Sequence, residues 1–297
     1  MKFMNVLPVL LAVVLSACGT SATQKVNTAS ADQQQSTVLR FAVLGDAEPK
    51  PKAEFPGVAA AVQDINAMAE NSRLDFAVGV GDIAHKGTLL QYDNVTPVLQ
   101  QLSLPFYPIM GNEEHGSTVA RFLEYANRWN NGKVMINSPR YTQEYDSVAL
   151  VYASPDFGRD FNDDGVAWIQ QEIQRLAPKP VLLIVHGAQA GVYPENAEKG
   201  IHNVNFSAVI EQPNLAAVIS GDLHMDMDRT QHSKQIGHVH YLHIPALERT
   251  KIPDENHHIP MFRVFSIDAS GKVLVETYQT GKGEALIRHR YEFKLPS

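Results

Sequence analysis

From Val38 onward, apolar runs typical of buried strands alternate with segments whose apolar residues have the spacing of one helix face. The run VLRFAVLG at 38–45 is followed by a helical pattern over 57–71, with apolar residues at Val58, Ala61, Val62, Ile65 and Met68. Further strand-like runs lie at 75–80, 106–110, 148–153, 181–185 and 215–219, and further helical patterns at 119–129 and 166–176. Because helices must pack on sheets to bury both kinds of apolar face, this alternation predicts an α/β layered domain.

The C-terminal part of the chain differs, because strand-like patterns dominate it after His238. Asp268-Ala269-Ser270-Gly271 separates the runs FRVFSI and KVLVETY, which predicts a β-hairpin. No linker-like composition interrupts 38–297, and 44% of the 297 residues are hydrophobic. We therefore expect residues 38–297 to form a single domain with a large core.

The N-terminus has the pattern of an export signal. Lys2 supplies a positive charge, and the nearly unbroken apolar run at 3–15 is long enough for a signal peptide but short for a membrane span. The run ends in Leu15-Ser16-Ala17-Cys18, which resembles a bacterial lipobox, and Cys18 is the only cysteine. We expect residues 1–17 to be a lipoprotein signal peptide and Cys18 to be lipidated; the alternative is an ordinary signal peptide with an incidental cysteine. Residues 18–37 are rich in Ser, Thr, Ala and Gln, as expected of a flexible tether.

Lipidation at Cys18 would attach the protein to a membrane, since several acyl chains together exceed what stable anchoring needs. Gly19 stands where an Asp would favour the inner membrane, so the resemblance to lipoproteins implies the outer membrane of a Gram-negative bacterium, and we expect the domain to face the periplasm. The formal net charge is −7 and no Lys/Arg-rich run is present. Nucleic acid is therefore not expected as a resident partner.

Side chains that can bind metals follow most of these apolar runs. They are Asp46 and Glu48 after the first run, Asp82 after the second, Asn112 after the third, His186 after 181–185, and Asp222 with His224 after 215–219. Because open α/β sheets bind ligands at the carboxyl ends of their strands, we expect these side chains to meet at one site.

The segments that carry these residues read GDAE at 45–48, GDIAH at 81–85, GNEE at 111–114, VH at 185–186 and GDLH at 221–224. In order and spacing they resemble the five motifs of the calcineurin-like metallophosphoesterases, and FNDDGVAWIQQEIQRL at 161–176 resembles the helix before the fourth motif. The resemblance implies an α/β, calcineurin-like four-layer sandwich, with two mixed β-sheets flanked by helices. It also implies two metal ions that activate a hydroxide against a phosphate ester.

Carried over residue by residue, the resemblance implies that one metal is held by Asp46, Glu48, Asp82 and His224. The other would be held by Asp82, Asn112, His186 and Asp222, so that Asp82 would bridge the two. A bridging carboxylate brings two cations to about 3.5–4 Å, where one polarises the phosphoryl oxygen and the pair acidifies a shared water. This implies hydrolysis without a covalent intermediate and gives Asp82 a catalytic role.

Three positions depart from the family pattern, which usually has His where this chain has Glu48, Glu113 and Asp222. Glu48 and Asp222 still offer oxygen ligands. Four carboxylates and two imidazoles favour oxygen-preferring ions, so we expect Mn or Fe rather than Zn. The four negative charges would also nearly cancel two divalent cations, which weakens the attraction for a phosphate.

Glu113 replaces an imidazole that in the family is thought to stabilise or protonate the reacting group. A carboxyl group can act as this acid if burial or neighbouring anions raise its pKa. His115 and His85 are alternatives, each equally compatible with a solvated loop histidine. The candidate catalytic residues are therefore Asp82, Glu113 and His115, with His85 left open.

A second segment competes for the fifth motif, because Gly237-His238-Val239-His240 matches the family pattern better than GDLH does. However, the buried-strand run LAAVIS leads directly into Gly221, and Arg229 follows His224 at the spacing typical of the family. If this second segment is itself a strand, His238 and His240 would line a half-exposed face. We therefore predict that His224 is the ligand.

Two further segments resemble known binding motifs but are better explained in other ways. DFNDDG at 160–165 begins like a calcium loop, but Gln171 stands where the bidentate Glu belongs, so an Asx turn that caps the next helix is the better interpretation. GVGDIA at 79–84 mimics a dinucleotide fingerprint, yet Asp82 would repel pyrophosphate. The chain contains neither Gly-x-Ser-x-Gly nor His-Glu-x-x-His, so serine hydrolase and zincin interpretations lack support.

The leading hypothesis is a lipid-anchored enzyme that hydrolyses a phosphate monoester or diester of a small molecule. The rival hypothesis is a catalytically weak or inactive family member that binds a metal or a ligand, and the three substitutions motivate it. Specificity should come from loops, of which 187–202 is the best candidate for a wall or lid.

Overall fold

The computed structural model describes residues 37–296. The predicted signal peptide (1–17), Cys18 and the tether (18–37) lie outside the described residues, apart from Thr37, with which the first strand begins. Within the described residues, none of the helices is sufficiently long and apolar to cross a membrane.

Strands and helices alternate through most of the described chain, and strands predominate towards its end. The strands are β1 (Thr37–Leu44), β2 (Phe76–Gly79), β3 (Phe106–Pro108), β4 (Arg140–Glu144), β5 (Ala149–Ala153), β6 (Val181–Val185), β7 (Leu215–Ser220), β8 (Ser233–Ile236), β9 (Val239–His243), β10 (Met261–Asp268), β11 (Lys272–Gln279) and β12 (Tyr291–Lys294). The helices are α1 (Pro56–Asn71), α2 (Leu89–Leu99), α3 (Val119–Asn130), α4 (Asp163–Leu176) and α5 (Ser207–Ile210).

The strands form two mixed sheets. The first has the order β12-β11-β10-β1-β2-β3, in which β1, β2 and β3 are parallel and the strands from β10 to β12 are antiparallel. The second has the order β4-β5-β6-β7-β9-β8, in which only the edge strands β4 and β8 run antiparallel to their neighbours. In each sheet, the parallel strands that precede the predicted ligands therefore end at the same edge.

The two sheets pack face to face, and helices cover their outer faces. Along β1, Phe41 and Val43 enter an apolar core that also contains Ile184 of the second sheet. Ala42 and Leu44 point the other way, into a core shared with α1, α2 and α3, as the alternation of side chains along a strand requires. A third core joins the second sheet to α4 and α5. The predicted α/β four-layer sandwich, two mixed sheets flanked by helices, is confirmed.

The start of α4 explains the segment that resembled a calcium loop. The helix begins at Asp163, earlier than its apolar period suggests, because the side chain of Asn162 accepts a hydrogen bond of 2.7 Å from the backbone N–H of Gly165. This is the capping arrangement that the sequence predicts for DFNDDG.

The predicted C-terminal hairpin is confirmed. β10 and β11 pair antiparallel, and the carbonyl of Asp268 accepts a hydrogen bond of 3.0 Å from the N–H of Gly271, the residue that closes the turn.

Candidate metal centre

The predicted ligands lie just beyond the carboxyl ends of parallel strands in both sheets. We call these side chains the ligand cluster: Asp46, Glu48, Asp82 and Asn112 from the loops after β1, β2 and β3, and His186, Asp222 and His224 from the loops after β6 and β7. All except Asn112 are at most 2% exposed. The structure thus brings them together in one buried region where the edges of the two sheets meet.

Left-handed backbone conformations direct several of these side chains into the cluster. The φ angles of Asp82, Asp222 and His224 are 52°, 68° and 49°, a region that Asp and His enter more readily than most residues. The N–H of Asp222 then donates to both carboxylate oxygens of Asp46, at 3.0 and 3.1 Å. Strained conformations of this kind concentrate at functional sites.

Two motif glycines leave room for the carboxylates. A Cβ atom at Gly111 would lie 2.3 Å from Oδ1 of Asp82, and one at Gly221 would lie 2.5 Å from Oδ2 of Asp46. Any other residue at these positions would displace a carboxylate of the cluster.

The first group of ligand atoms surrounds His224. Its Nε2 lies 3.2 Å from Oε1 of Glu48 and 3.8 Å from Oδ1 of Asp46, and ligand atoms of Asp46, Asp82 and His224 lie within 4.8 Å of one another. Its Nδ1 lies 2.7 Å from the carbonyl oxygen of Arg249. A proton on Nδ1 satisfies that carbonyl and leaves the Nε2 lone pair directed into the cluster.

The second group surrounds His186 in the same manner. Its Nε2 lies 3.2 Å from Oδ1 of Asn112, 3.3 Å from Oδ1 of Asp82 and 3.7 Å from Oδ1 of Asp222. Its Nδ1 lies 2.8 Å from the carbonyl oxygen of Val80. With a proton on Nδ1 alone, one nitrogen lone pair and three oxygens face one another, an arrangement that a positive charge, either a metal ion or a second proton on His186, must stabilise.

The electrostatics of the cluster agree with this requirement. Burial opposes a charge on His186, but Asp82, Asp222 and Asp46 outweigh it and raise the pKa of His186 well above its ordinary value. Burial raises the pKa of Asp46 to about 6, although the neighbouring His224 and His186 partly offset it. Closely packed buried carboxylates are stable only with positive charge beside them. The ligand cluster, rich in oxygen and with both histidine Nε2 atoms facing inward, therefore fits divalent metal ions.

Arg159, which the sequence analysis missed, borders the second group. Its Nε lies 2.8 Å from Oδ2 of Asp222, and its terminal nitrogen donates to Oδ1 of Asn112 at 2.7 Å. Arg159 lies in the loop between β5 and α4, outside every recognised motif. The one sequence signal that could have suggested a nearby basic side chain was the excess of carboxylates in the ligand cluster.

Three cations missed by the sequence analysis surround Glu48. The Lys251 ammonium contacts Oε1 of Glu48 and lies 3.0 Å from Nε2 of His224. A guanidinium nitrogen of Arg249 lies 3.1 Å from the same oxygen, and Nζ of Lys50 lies 3.2 Å from Oε2. Burial alone would raise the pKa of Glu48, but His224 and Lys251 hold this pKa far below its ordinary value. Glu48 is therefore ionised.

The candidate acids lie at the edge of the cluster. Oε2 of Glu113 lies 2.6 Å from Nδ1 of His85, and this nitrogen is 3.6 Å from Oε2 of Glu48. His115 turns away from this pair, because its Nε2 lies 3.1 Å from the carbonyl oxygen of Pro155. Burial lowers the pKa of His115. The structure thus brings Glu113 together with His85, and not with His115.

Glu114, whose role the sequence analysis missed, holds the loops of the ligand cluster in place through hydrogen bonds to their backbone. It is fully buried, and its carboxylate accepts backbone hydrogen bonds of 2.9, 2.8 and 2.8 Å from Asp82, Ala84 and Gly111. It therefore links the loops after β2 and β3. Its position inside the GNEE segment gave no means of distinguishing it from Glu113.

The competing histidines lie elsewhere. His238 is exposed, and its Nε2 lies 3.0 Å from the carbonyl oxygen of Gln212. His240, in β9, lies 2.9 Å from the hydroxyl of Tyr291 and stacks on Phe293 with ring centroids 4.3 Å apart. Neither histidine contacts the ligand cluster in the described structure.

Solved structures share this fold. The purple acid phosphatase PPD1 from yellow lupin (Lupinus luteus) seeds superposes with a TM-score of 0.61 at 14% identity, over 88% of this chain and 54% of the lupin chain, so this chain spans about half the length of that protein. GAP50, the anchor in the inner membrane complex of Plasmodium, gives a TM-score of 0.59 at 13% identity, over 86% of this chain and 88% of its own. At these identities the similarity establishes the fold alone.

The family assignment rests on sequence. No curated protein matches the chain, but the sequence model of the calcineurin-like phosphoesterases matches residues 39–226, more than half of the chain and the part that contains the ligand cluster. The matched residues include the buried group of Asp46, Asp82 and His224, whose ligand atoms could hold a metal ion. The chain belongs to the calcineurin-like phosphoesterase family.

Proposed function

We propose that this protein uses two metal ions and a metal-activated water to hydrolyse a phosphate monoester or diester of a small molecule. The observation that carries the proposal is the environment of His186, whose Nε2 faces oxygens of Asn112, Asp82 and Asp222 while the carbonyl of Val80 orients its other nitrogen. Such a convergence of oxygens on an oriented imidazole is typical of a metal site.

The ligand cluster divides into two sets that share Asp82. One metal would be held by Asp46, Glu48, Asp82 and His224. The other would be held by Asp82, Asn112, His186 and Asp222. Bound there, the metals would supply an activated water and polarise a phosphoryl oxygen. The abundance of carboxylates favours Mn or Fe over Zn. Asp82 would fix the distance between the two positions, and the backbone N–H of Glu113, which donates to Oδ1 of Asp82 at 2.8 Å, orients that carboxylate.

We assign proton transfer to Glu113 and His85. Nδ1 of His85 lies 2.6 Å from Oε2 of Glu113, and both side chains are partly exposed at the edge of the cluster. A leaving oxygen at this edge would receive a proton from one of these two groups. His115, held by the carbonyl of Pro155, would position the loop that carries Glu113.

A second candidate function is a catalytically weak or inactive protein that binds a metal or a ligand. Two contacts favour it: Lys251 binds Glu48, and Arg159 binds Asp222. These cations supply part of the positive charge that metal ions would otherwise bring.

We also propose that Cys18 is lipidated and anchors the protein to the outer membrane of a Gram-negative bacterium, with the domain facing the periplasm. The lipobox-like segment 15–18 supports the anchor, and Gly19 after Cys18 supports the choice of membrane. Metal ions and phosphate esters would then reach the cluster outside the cytoplasm.

Replacing Asp82 with Asn tests the enzymatic function. We expect the full chain, purified in detergent without chelator, to contain close to two Mn or Fe per molecule, and Asp82→Asn to lose at least one of them. Hydrolysis of p-nitrophenyl phosphate or bis(p-nitrophenyl) phosphate should fall by roughly a hundredfold or more, because the bridging ligand positions both metals. Elemental analysis and initial rates measure the two effects.

Asp146→Asn is the matched control, since Asp146 is exposed outside the ligand cluster, and it should change neither quantity. Unchanged activity in Asp82→Asn would refute the assignment. Absence of metal from the wild-type protein, even after incubation with Mn²⁺ and Fe²⁺, would instead favour the binding-protein function.

A further inference from the structure

Each of the two carboxylates that replace a family histidine in the ligand cluster is bound by a cation. Glu48 and Asp222 stand where the family usually has an imidazole. Lys251 binds Glu48, and Arg159 binds Asp222 with its Nε 2.8 Å from Oδ2. At both positions, a substitution that adds a negative charge is therefore accompanied by a positive side chain.

Each cation also contacts a second ligand atom of the same metal position. Nζ of Lys251 lies 3.0 Å from Nε2 of His224, the nitrogen whose lone pair faces the cluster. A terminal nitrogen of Arg159 donates to Oδ1 of Asn112 at 2.7 Å. A side-chain donor on these atoms uses the lone pairs that a metal ion would need.

Both side chains can be displaced without moving the strands. They lie in loops, between β9 and β10 and between β5 and α4, and 25% of the Lys251 side chain and 30% of the Arg159 side chain are exposed. The backbone N–H of Lys251 donates to the carbonyl of His224 at 2.9 Å, so its backbone stays beside the ligand. Rotation about the long aliphatic part is enough to move the charge into solvent.

We propose that Lys251 and Arg159 compete with metal ions, each for one of the two metal positions. This inference rests on the proposed function, because it concerns the same site. Each cation neutralises its carboxylate until a metal ion arrives, and it must leave before the metal binds. A cation that stayed would repel the metal at close range. Arg249 also donates to Oε1 of Glu48, but of the three cations around Glu48 only Lys251 contacts Nε2 of His224 as well. The metal affinity of each position is therefore limited mainly by the side chain that occupies two of its ligand atoms.

Titration of the chelator-treated full chain with Mn²⁺ tests the competition. We expect Lys251→Met to lower the Kd for one Mn²⁺ per chain roughly tenfold, and Arg159→Met to do so for the other. Lys50→Met is the matched control, because Lys50 also contacts Glu48, but at Oε2. Its removal changes the charge nearby but leaves Lys251 on Oε1, the Glu48 oxygen that faces Nε2 of His224, and should lower the Kd by less than about threefold.

Isothermal titration calorimetry gives the affinity and the stoichiometry. Equal effects of Lys251→Met and Lys50→Met, or a Kd that is unchanged or higher in Lys251→Met and Arg159→Met, would overturn the inference. Thermal unfolding of each variant shows whether it is folded. Lys251→Gln, which keeps a donor but loses the charge, should also lower the Kd and provides a second test if Lys251→Met does not fold.

The outcome separates this inference from the proposed function. If the wild-type chain binds no Mn²⁺ but the variant carrying both Lys251→Met and Arg159→Met does, the competition is supported and the two-metal enzyme is not. If the wild-type chain binds two Mn²⁺ with the same affinity as the variants, the proposed function stands and the competition is refuted. If neither protein binds Mn²⁺, both are refuted.

Discussion

At the scale of single residues, Glu114 shows how the geometry of the ligand cluster depends on a side chain that is not assigned to a metal. Oε2 of Glu114 accepts the N–H groups of Asp82 and Gly111, and its Oε1 accepts that of Ala84. Three donors at fixed positions specify a carboxylate, since an amide offers an oxygen on one side only. Burial and the nearby Asp82 raise the pKa of Glu114 to about 7.

Replacing Glu114 with Gln should destabilise the protein by about 2–4 kcal/mol. The amide nitrogen would face at least one backbone N–H, which would then be buried without an acceptor. Urea unfolding monitored by tryptophan fluorescence measures the change. The exposed Glu124→Gln on α3 is the control, expected within about 0.5 kcal/mol of wild type. Equal stability of the two variants would show that Glu114 is dispensable.

The positions of the ligand cluster could be read from the sequence because each member follows an apolar strand, and strand ends of a layered domain converge. The cations could not be predicted in this way. Arg159 and Lys251 lie in loops, and their partners Asp222 and Glu48 are distant in sequence, so their pairing leaves no local pattern. The carboxylate excess gave no indication of which basic side chains would lie beside it.

At the scale of secondary structure, apolar patterns predicted the well-buried strands and the strongly amphipathic helices, and missed elements that are only partly buried or weakly patterned. α2 has exposed Leu89 and Leu90 at its start and Pro97 inside it, so its helical period is weak. The edge strands β4 and β8 were also missed, because their residues are only partly buried or exposed. In both cases the fold is determined by contacts with neighbouring elements.

The N-terminus of α1 is capped by a residue from a loop that is distant in sequence. The residue before the helix, Phe55, makes no side-chain cap; instead Glu248 accepts the N–H of Val58 at 2.9 Å. A Cβ at Gly57 would lie 2.0 Å from the carbonyl oxygen of Leu247, so only glycine allows this loop to approach the helix. The loop between β9 and β10 thus both caps α1 and carries Lys251 to the ligand cluster.

Glu248→Gln should show how much the ionisation of Glu248 at high pH lowers the free energy of unfolding. Burial raises the pKa of Glu248 from 4.5 to about 7, while backbone N–H groups of Val58 and Gly57 partly lower it. Between these values the folded state binds more protons than the unfolded state, so wild-type stability falls as pH rises through this window. Gln does not titrate, so the variant avoids this loss. The free energy of unfolding of Glu248→Gln minus that of wild type should therefore be about 1–2 kcal/mol larger at pH 8 than at pH 4.5, a figure that allows for the partial exposure of Glu248.

Urea unfolding at the two pH values measures this difference. Glu255→Gln, in the same loop but largely exposed, is the control for removing a carboxylate from this loop. A difference between Glu248→Gln and wild type that does not change with pH would mean that Glu248 titrates normally in the folded protein.

At the scale of the whole molecule, the family-matched part and the C-terminal part are interdependent. The match ends at residue 226, yet β1 pairs with β10, and β11 and β12 extend the same sheet. The same C-terminal part supplies Arg249 and Lys251 to the ligand cluster. The segment that carries the family motifs therefore lacks half of one sheet and two of the cations that distinguish this chain.

The membrane anchor is the remaining whole-molecule prediction. If Cys18 is lipidated, Cys18→Ser should transfer the protein from the membrane fraction to the soluble fraction of a Gram-negative host, because no acyl chain would then hold it to the bilayer. Thermal unfolding should be unchanged, since the three apolar cores are built from residues beyond Val38. Fractionation followed by immunoblotting measures the distribution, and Ser21→Ala is the control that leaves Cys18 in place. Membrane association that survives Cys18→Ser would refute the lipobox interpretation without affecting the ligand cluster, which lies entirely in the layered domain.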